Sequence, residues 1–450
     1  MSNHQSTINK TKSTAPKGSF RIITLGCKVN HYESAHITDS LVEDGWSPAS
    51  ENEPADLNII NTCIVTQRAS YQSRQAIRKA RKENPSGVTI AAGCYAQVFP
   101  EELTRIKGVD LILGNSKKAQ LSAVLSNGLD SAGSRIISED FQPGVDFEPL
   151  PIKRFLDRTR AFLKIQDGCQ SFCSYCIVPY ARGVQRSLDP EKVISMLHVF
   201  SDEGYKEVVL TGIHMGEYGF DLNKAVDLKG LLTRIGKERL PLRIRLSSIE
   251  PKEIDQRLID MMASEGWICN HFHIPLQSGD DVILKRMNRH YGSSEFVGLI
   301  EKIYKHVPLS AIGVDTMAGF PGEDHRAYRN TYSLIKDLPI SYLHVFPYSA
   351  RKGTAAAEFP DQVSHRVIKE RAQGLRELGQ IKREAFYRSC VGKIFSVLVE
   401  SWESETEYMV RGLSENYLPV IFPSPTLHRN KIVPIRMERV EGNCVVGRPV

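Results

Sequence analysis

The stretch "AFLKIQDGCQSFCSYCIVPYARG" (161–183) runs from a short apolar strand straight into three cysteines within eight residues. Cys169, Cys173 and Cys176 follow a C-x3-C-x2-C spacing, and the next cysteine is Cys269. Structural zinc takes four ligands, usually as two close pairs. A bacterial ferredoxin run carries a further cysteine followed by proline, whereas Pro179 stands three residues after Cys176 without one. Zinc with a distant fourth ligand stays open on spacing alone. A 4Fe-4S cluster with one unligated iron fits three thiolates best, because such an iron keeps a place for a small molecule.

Around this loop the pattern is strand then helix. Six apolar strands are expected between 160 and 388: "AFLKIQ", "KEVVLTGI", "LRIRLSS", "HFHIPLQ", "AIGVDTMAGF" and "SYLHVFPYS". Helices are expected near 190–203, 252–264, 293–306, 324–337 and 364–388. Six β/α units predict an incomplete barrel whose functional face is the set of loops after the strands. Upstream, "FRIITL", "DLNIIN", "GVTIAA" and "VDLILG" alternate with helical segments, which predicts a second parallel sheet covered on both faces. Cys27, Cys63 and Cys94 each follow one of these strands by a residue or two. Such positions share one sheet edge, so the three cysteines are expected to converge. The last 60 or so residues read as five short strands and predict a compact β-barrel.

The expected division is a disordered tail at 1–18, an α/β domain at 19–130, a linker at 131–154, the barrel at 155–387 and the small β-barrel at 388–450. The 450 residues suit several domains. With 41% apolar and 24% charged residues the chain is ordinary for a water-soluble protein. No apolar run reaches the roughly 20 residues of a membrane span, and "MSNHQSTINKTKSTAPKGS" lacks the apolar centre of a secretory signal. The expected location is therefore the cytoplasm. Nine cysteines are too few for a disulfide scaffold of this length. Cys269, Cys390 and Cys444 lack partners at ligand spacing and are expected to be packing residues. A net charge of +6 permits an anionic partner without requiring one.

"GCQSFCSYCIVPYARG", with Tyr175 before its last cysteine, resembles the radical S-adenosylmethionine (SAM) motif. The resemblance implies that the open iron chelates SAM and that reduction yields a 5′-deoxyadenosyl radical. "TLGCKVNHYES", "NTCIVTQRA" and "AAGCYAQ" are similar to the N-terminal domain of methylthiotransferases, where the three cysteines hold a second 4Fe-4S cluster. The terminal strands resemble the TRAM domain, an RNA-binding barrel. The implied partners are a tRNA, SAM and an electron donor such as flavodoxin or ferredoxin, with the chain acting as a monomer. Loop residues that become SAM-facing candidates through the resemblance are Tyr175, Thr211, Gly212, Ser248, Glu250 and Gln277. Ser247, Ser278, Gly319 and Gly322 share that rim. His214 is read as an ordinary loop histidine, with a substrate-site role as the alternative.

Within the family, "GCKVNHYES", "NTCIVT", "VPYARG" and "HVFPYSARKGTAA" look most like the branch acting on threonylcarbamoyladenosine in tRNA. His31 departs from the glutamine common in that branch. The expected activity is methylthiolation at C2 of that adenosine beside the anticodon. The alternatives are an isopentenyl-adenosine tRNA or a ribosomal protein as substrate, or a non-catalytic RNA-binding metalloprotein. Arg74, Arg78 and Lys82, at i, i+4 spacing with Lys79 and Arg81 beside them, form a basic helix face suited to phosphates. A solvated charge face is the plainer reading.

Overall fold

The computed structural model describes residues 17–50, 53–126, 135–141, 147, 150, 152, 155, 158–222 and 226–450. Its first sheet contains β1 (Ser19–Thr24), β2 (Ser47–Pro48), β3 (Leu57–Thr62), β4 (Val88–Gly93), β5 (Leu111–Leu113) and β6 (Arg135–Ile137). All pairs are parallel, in the order β2-β1-β3-β4-β5-β6. Every residue of β3 is buried, as a central strand covered on both faces requires. The order reverses between β1 and β3, and the carboxyl ends of strands at such a switch point are where open α/β sheets build sites. Cys27 and Cys63 lie on its two sides.

Two boundaries differ from expectation. β6 pairs with β5, so the first domain extends past 130 into the expected linker. Three residues between glycine- and serine-rich flanks are too few to show a period. Much of the remaining linker, and residues 1–16 of the expected tail, lie outside the described residues. Lys17 already donates its backbone N–H to Gly45 O (3.0 Å).

The barrel begins with β7 (Ala161–Lys164). The short β8 (Gln166–Asp167) and β9 (Arg186–Ser187) pair with each other and bracket the cysteine loop. Then come β10 (Glu207–Thr211), β11 (Arg243–Leu246), β12 (His271–Gln277), β13 (Ala311–Ala318) and β14 (Tyr342–Pro347). β7, β10 and β11 form one parallel sheet and β12, β13 and β14 another. Ile244 N–H to Trp267 O (2.7 Å) and Cys269 N–H to Ile244 O (2.8 Å) join them into one arc of six strands. Five helices along the arc start at Asp189, Asp227, Asp255, Asp280 and Asp324, whose carboxylates accept backbone N–H groups of the first turn. Each such cap is worth about 1 kcal/mol. The 25-residue helix His365–Ser389 packs across β13 and β14.

The arc is open between β7 and β14, and the first domain spans that side. Its helix Lys28–Glu43 packs on β7, with Tyr32 inside the barrel's own apolar core. Its second helix, Gln67–Glu83, meets the end of β14 through Gln67 N–H to Ser349 Oγ (3.1 Å) and Arg351 Nη2 to Ser70 Oγ (2.8 Å). The chain ends in β15 (Ile394–Ser404), β16 (Met409–Ser414), β17 (Pro419–Pro423), β18 (Ile432–Glu441) and β19 (Cys444–Pro449), a closed barrel ordered β15-β16-β17-β19-β18. Closure leaves no strand edge unpaired. Cys390 and Cys444 are buried there and Cys269 in the large barrel. No helix among the described residues is long and apolar enough to cross a membrane.

Candidate metal and cofactor site

The barrel's cysteine loop depends on one glycine. Gly168 has φ +76°, and a Cβ there would lie 1.9 Å from Val184 O. Only glycine permits both, so the chain turns sharply into Cys169. Cys169 N–H then bonds Gly183 O (3.1 Å), and Cys176 N–H bonds Cys173 O (2.9 Å). Asn288 Nδ2 donates to Ser171 O (3.0 Å) and Phe172 O (3.1 Å), pinning the loop to the rim. Cations attend the sulfurs: Arg289 Nη1 approaches Cys173 Sγ (3.5 Å), and His214 Nδ1 approaches Cys169 Sγ (3.7 Å). His214 Nε2 bonds Glu253 Oε1 (2.5 Å). Burial opposes its charge, yet hydrogen bonds to Cys169 and Glu253 push its imidazolium up to about 11. His214 is therefore no ordinary loop histidine, contrary to expectation.

The expected rim residues fall into two groups. Tyr175 and Gln277 border a cavity of about 210 Å³ inside the arc, and Gln277 holds the left-handed φ of +60°. Glu250 sits beside the cysteine loop with its carboxylate on Arg289. Ser248 Oγ bonds His273 Nδ1 (3.2 Å). Thr211 is buried, and the Cβ that Gly212 lacks would meet Gln166. Gln166 Oε1 in turn accepts Ile213 N–H (2.9 Å) and His214 N–H (2.7 Å). Ser278 and Gly319 make local bonds, to Thr331 and Glu323. Ser247 is buried under Met215, and Gly322 lies against Arg286.

The other three cysteines converge as their strand-end positions predict. Gly26 takes φ +97°, and a Cβ there would lie 2.8 Å from Cys63 Sγ. Cys94 Sγ receives Asn115 Nδ2 (3.4 Å), which also donates to Ala181 O (2.8 Å) in the barrel's cysteine segment. Burial pushes the Cys63 thiol up to about 12, with Cys94 and Cys27 adding to the effect. Burial likewise pushes Cys176 up to about 12. Thiols this reluctant to ionise become thiolates when a metal supplies the positive charge. Among the described residues neither set gathers three sulfurs within 4.8 Å of one another. A single tetrahedral zinc, with Zn–S of about 2.3 Å, would draw sulfurs to about 4 Å apart. Thiolates are the donors that iron–sulfur clusters use.

The cavity is lined by Cys176 of the barrel set and by the residues that follow Cys63. Val65 and Thr66, just past Cys63, line one side, and Tyr175, Cys176 and Ile177 the other. A buried ion network holds the two sides in register. Glu33, from the helix after Cys27, bonds Lys118 (2.6 Å), Lys164 on β7 (2.9 Å) and Arg182 just past Cys176. Arg182 Nη2 also bonds Asn30 Oδ1 (2.6 Å). Burial alone would raise the Glu33 carboxyl, but Arg182, Lys118 and Lys164 hold it well below the usual carboxylate range. Burial and then Arg245 lower the Lys28 ammonium to about 8. His31 Nδ1 lies 3.2 Å from Arg158 Nη2, at the domain junction.

Sequence reading missed Asp315, which lines the cavity. Its Oδ1 receives His273 Nε2 (2.7 Å) and His344 Nδ1 (3.2 Å). A carboxylate inside the apolar run "AIGVDTMAGF" was the available signal, since buried charges are rare unless paired. The basic helix keeps Arg78 and Lys82 exposed, whereas Arg74 is tied to Tyr95 OH (3.0 Å) and Arg81 to Gly87 O (2.9 Å).

Comparison with known proteins agrees with this geometry. Residues 19–114 match the uncharacterized protein family UPF0004, and residues 163–335 match the radical SAM superfamily. The chain is 40% identical to the threonylcarbamoyladenosine tRNA methylthiotransferase MtaB of Bacillus subtilis (strain 168), over 92% of each chain. It is 38% identical to the MtaB of Aquifex aeolicus (strain VF5), over 88% of this chain and 95% of that one. It is 34% identical to the tRNA-2-methylthio-N(6)-dimethylallyladenosine synthase of Dictyoglomus thermophilum, over 90% and 92%. In fold it resembles the radical SAM methyltransferase TsrM from Kitasatospora setae, with a TM-score of 0.54, 16% identity and 75% of each chain covered. With 38–40% identity to the MtaB relatives over most of both chains and a radical SAM match across the arc, the chain belongs to the radical SAM methylthiotransferase family.

Proposed function

We propose that this enzyme methylthiolates C2 of threonylcarbamoyladenosine in tRNA, beside the anticodon. The observation that carries the reading is a cavity lined by Cys176 on one side and by Val65 and Thr66, just past Cys63, on the other, supported by the relatives named for that substrate. Cys169, Cys173 and Cys176 would hold one 4Fe-4S cluster and Cys27, Cys63 and Cys94 the other. When bound, the first with SAM supplies a carbon-centred radical, and the second holds or delivers the sulfur.

The chain's own residues do the rest. Arg289 and His214, against Cys173 and Cys169, offset thiolate charge with charge-assisted bonds. Tyr175, Thr211, Gly212, Ser248, Glu250 and Gln277 form the SAM-facing rim in this reading. Glu33 and Arg182 fix the distance between the two sets, and such positioning converts an encounter into an intramolecular step. Met317, Phe346 and Pro347 give the cavity apolar walls, which limit water near a radical.

The small C-terminal barrel and the exposed Arg78 and Lys82 would contact the RNA. The electron would come from a flavodoxin or ferredoxin, with the chain acting as a cytoplasmic monomer. Mass spectrometry of tRNA nucleosides from a deletion strain tests the reading: the methylthio-threonylcarbamoyladenosine peak disappears. A persisting peak with loss of methylthio-dimethylallyladenosine would transfer the enzyme to the other branch. Reconstituted protein should hold about eight irons, and Cys63→Ala about half of them.

A further inference from the structure

Two groups of histidine and carboxylate side chains among the described residues bring their ligand atoms within 4.8 Å of one another: His214, Glu217 and Glu253, and His273, Asp315 and His344. The first is committed to Cys169 through His214. The second is built on three adjacent strands. Asp315 of β13 stands opposite His344 of β14, and His273 of β12 lies on the diagonal beside it. His273 Nε2 and His344 Nδ1 both approach Asp315 Oδ1, at 2.7 and 3.2 Å. The two imidazoles are 4.9 Å apart and nearly perpendicular, at 81°, so their nitrogens arrive from different directions. A metal shell of radius about 2.1 Å has edges of about 3.0–3.4 Å in octahedral or tetrahedral geometry, close to these separations. Behind His273, Ser248 Oγ meets Nδ1 (3.2 Å). Such an outer partner fixes the tautomer of a ligating histidine and leaves Nε2 for the ion. Asp315 borders the cavity of about 210 Å³, and His344 is 47% exposed. An ion therefore has a path of entry and room for water in its remaining positions.

We propose that His273, Asp315 and His344 form a site for a divalent first-row metal ion, separate from both cysteine sets. Two imidazoles and one carboxylate with open positions are the donor set of catalytic zinc and of non-haem iron(II) sites. One imidazole is enough to pair a buried carboxylate. The second, brought to the same oxygen from the next strand, completes a three-donor set on rigid elements. Binding displaces the protons on the nitrogens that face Asp315 and replaces two N–H···O bonds with metal–ligand bonds. The Ser248 hydroxyl both donates and accepts, so His273 keeps a partner at Nδ1 with or without the ion. The site goes beyond the proposed function and holds whichever adenosine is the substrate. With water in its open positions, the ion offers the cavity a Lewis acid for a ligand oxygen.

The test uses untagged, reconstituted full-length holoprotein, incubated with zinc chloride and desalted. Zinc is the probe because it is redox-silent, outcompetes iron(II) at such donors and is counted separately from cluster iron. Elemental analysis gives zinc and iron per chain, and X-ray absorption gives the zinc ligands. The wild type retains about one zinc beside about eight irons. Its zinc has nitrogen and oxygen neighbours at about 2.0–2.2 Å and no sulfur at about 2.3 Å. Asp315→Asn and His344→Ala each weaken zinc binding by about tenfold or more, and Ser248→Ala by about tenfold. His198→Ala, at a surface histidine paired with Glu238, leaves zinc binding unchanged. Iron near eight per chain in each variant shows that the fold and the clusters are kept. Full iron with no zinc, a sulfur shell around the zinc, or zinc binding unchanged in both Asp315→Asn and His344→Ala overturns the site.

Discussion

The large barrel meets its two neighbours through buried charge, but in different ways. Toward the first domain, Glu33 is surrounded by Lys118, Lys164 and Arg182, side chains from three separate segments. Toward the C-terminal barrel, Glu207 holds Arg245 and Arg243 (both 2.7 Å). Those arginines then donate to backbone carbonyls of Ser396, Leu413, Ser414 and Glu415 (2.7–3.0 Å). The first junction is specific to the side chains of both partners. The second relies largely on the backbone of its partner, with an Arg160–Glu400 ion pair (2.9 Å) and a Tyr417 stack on His271 at 4.3 Å beside it. A junction that must align two cysteine sets needs fixed partners on both sides. A junction that attaches a strand-built accessory domain can rest mostly on the carbonyls that such a domain presents.

The largest expected effect tests the first junction. Glu33→Ala leaves Lys118 buried without a carboxylate and Lys164 and Arg182 with Asp167 alone, and costs about 3–5 kcal/mol. Thermal melts should show the first domain loosening, and methylthiolation should fall more steeply than SAM cleavage, because the barrel's own cysteines stay in place. Equal loss of both activities would mean that the network supports folding alone. Next, Arg245→Met should cost about 2–3 kcal/mol, because Arg243 still faces Glu207. It should expose the segment near Gly392 to proteolysis while leaving iron content unchanged.

Acid separates the junctions less than mutation does. Burial raises the Glu207 carboxyl, but Arg245 and Arg243 outweigh it and bring it down to about 2 from the usual 4.5. A carboxylate depressed in the folded state stabilises fully above its unfolded value and loses that contribution as pH falls through the folded one. The C-terminal junction should therefore weaken between about pH 4.5 and 2. Glu33, also held well below its usual value, weakens in the same direction. Near-neutral pH should leave both intact, as intrinsic fluorescence against pH would show. The smallest effect is expected outside both junctions. Arg78→Ala and Lys82→Ala should each lower tRNA affinity a few-fold and reduce the salt slope by about one; an unchanged slope would remove this helix from the RNA interface.

Local spacing was sufficient for the longer elements and for grouping one cysteine set. The loop at 167–183 is legible because its ligands come from one short segment, and chain geometry alone keeps Cys169, Cys173 and Cys176 together. The six barrel strands were legible because each is an apolar run bounded by turn residues. β6 was not, since three residues between glycine and serine carry no period. Cys27, Cys63 and Cys94 span 68 residues, so their convergence followed only once a parallel sheet was assumed, which puts strand ends on one edge.

What no stretch of sequence contains is the pairing of distant charges. Glu33 lies 149 residues from Arg182 and 131 from Lys164, and Asp315 lies 42 from His273. As letters, each is an ordinary polar residue. Burial makes them consequential, because a charge taken out of water must find its partner inside. The amino-acid sequence by itself determined the chemistry available, two three-thiol sets on two α/β units. The tertiary structure decided that Cys176, Asp315 and the residues just past Cys63 line one cavity, because only the packing of the first domain across the open side of the arc brings those loops together.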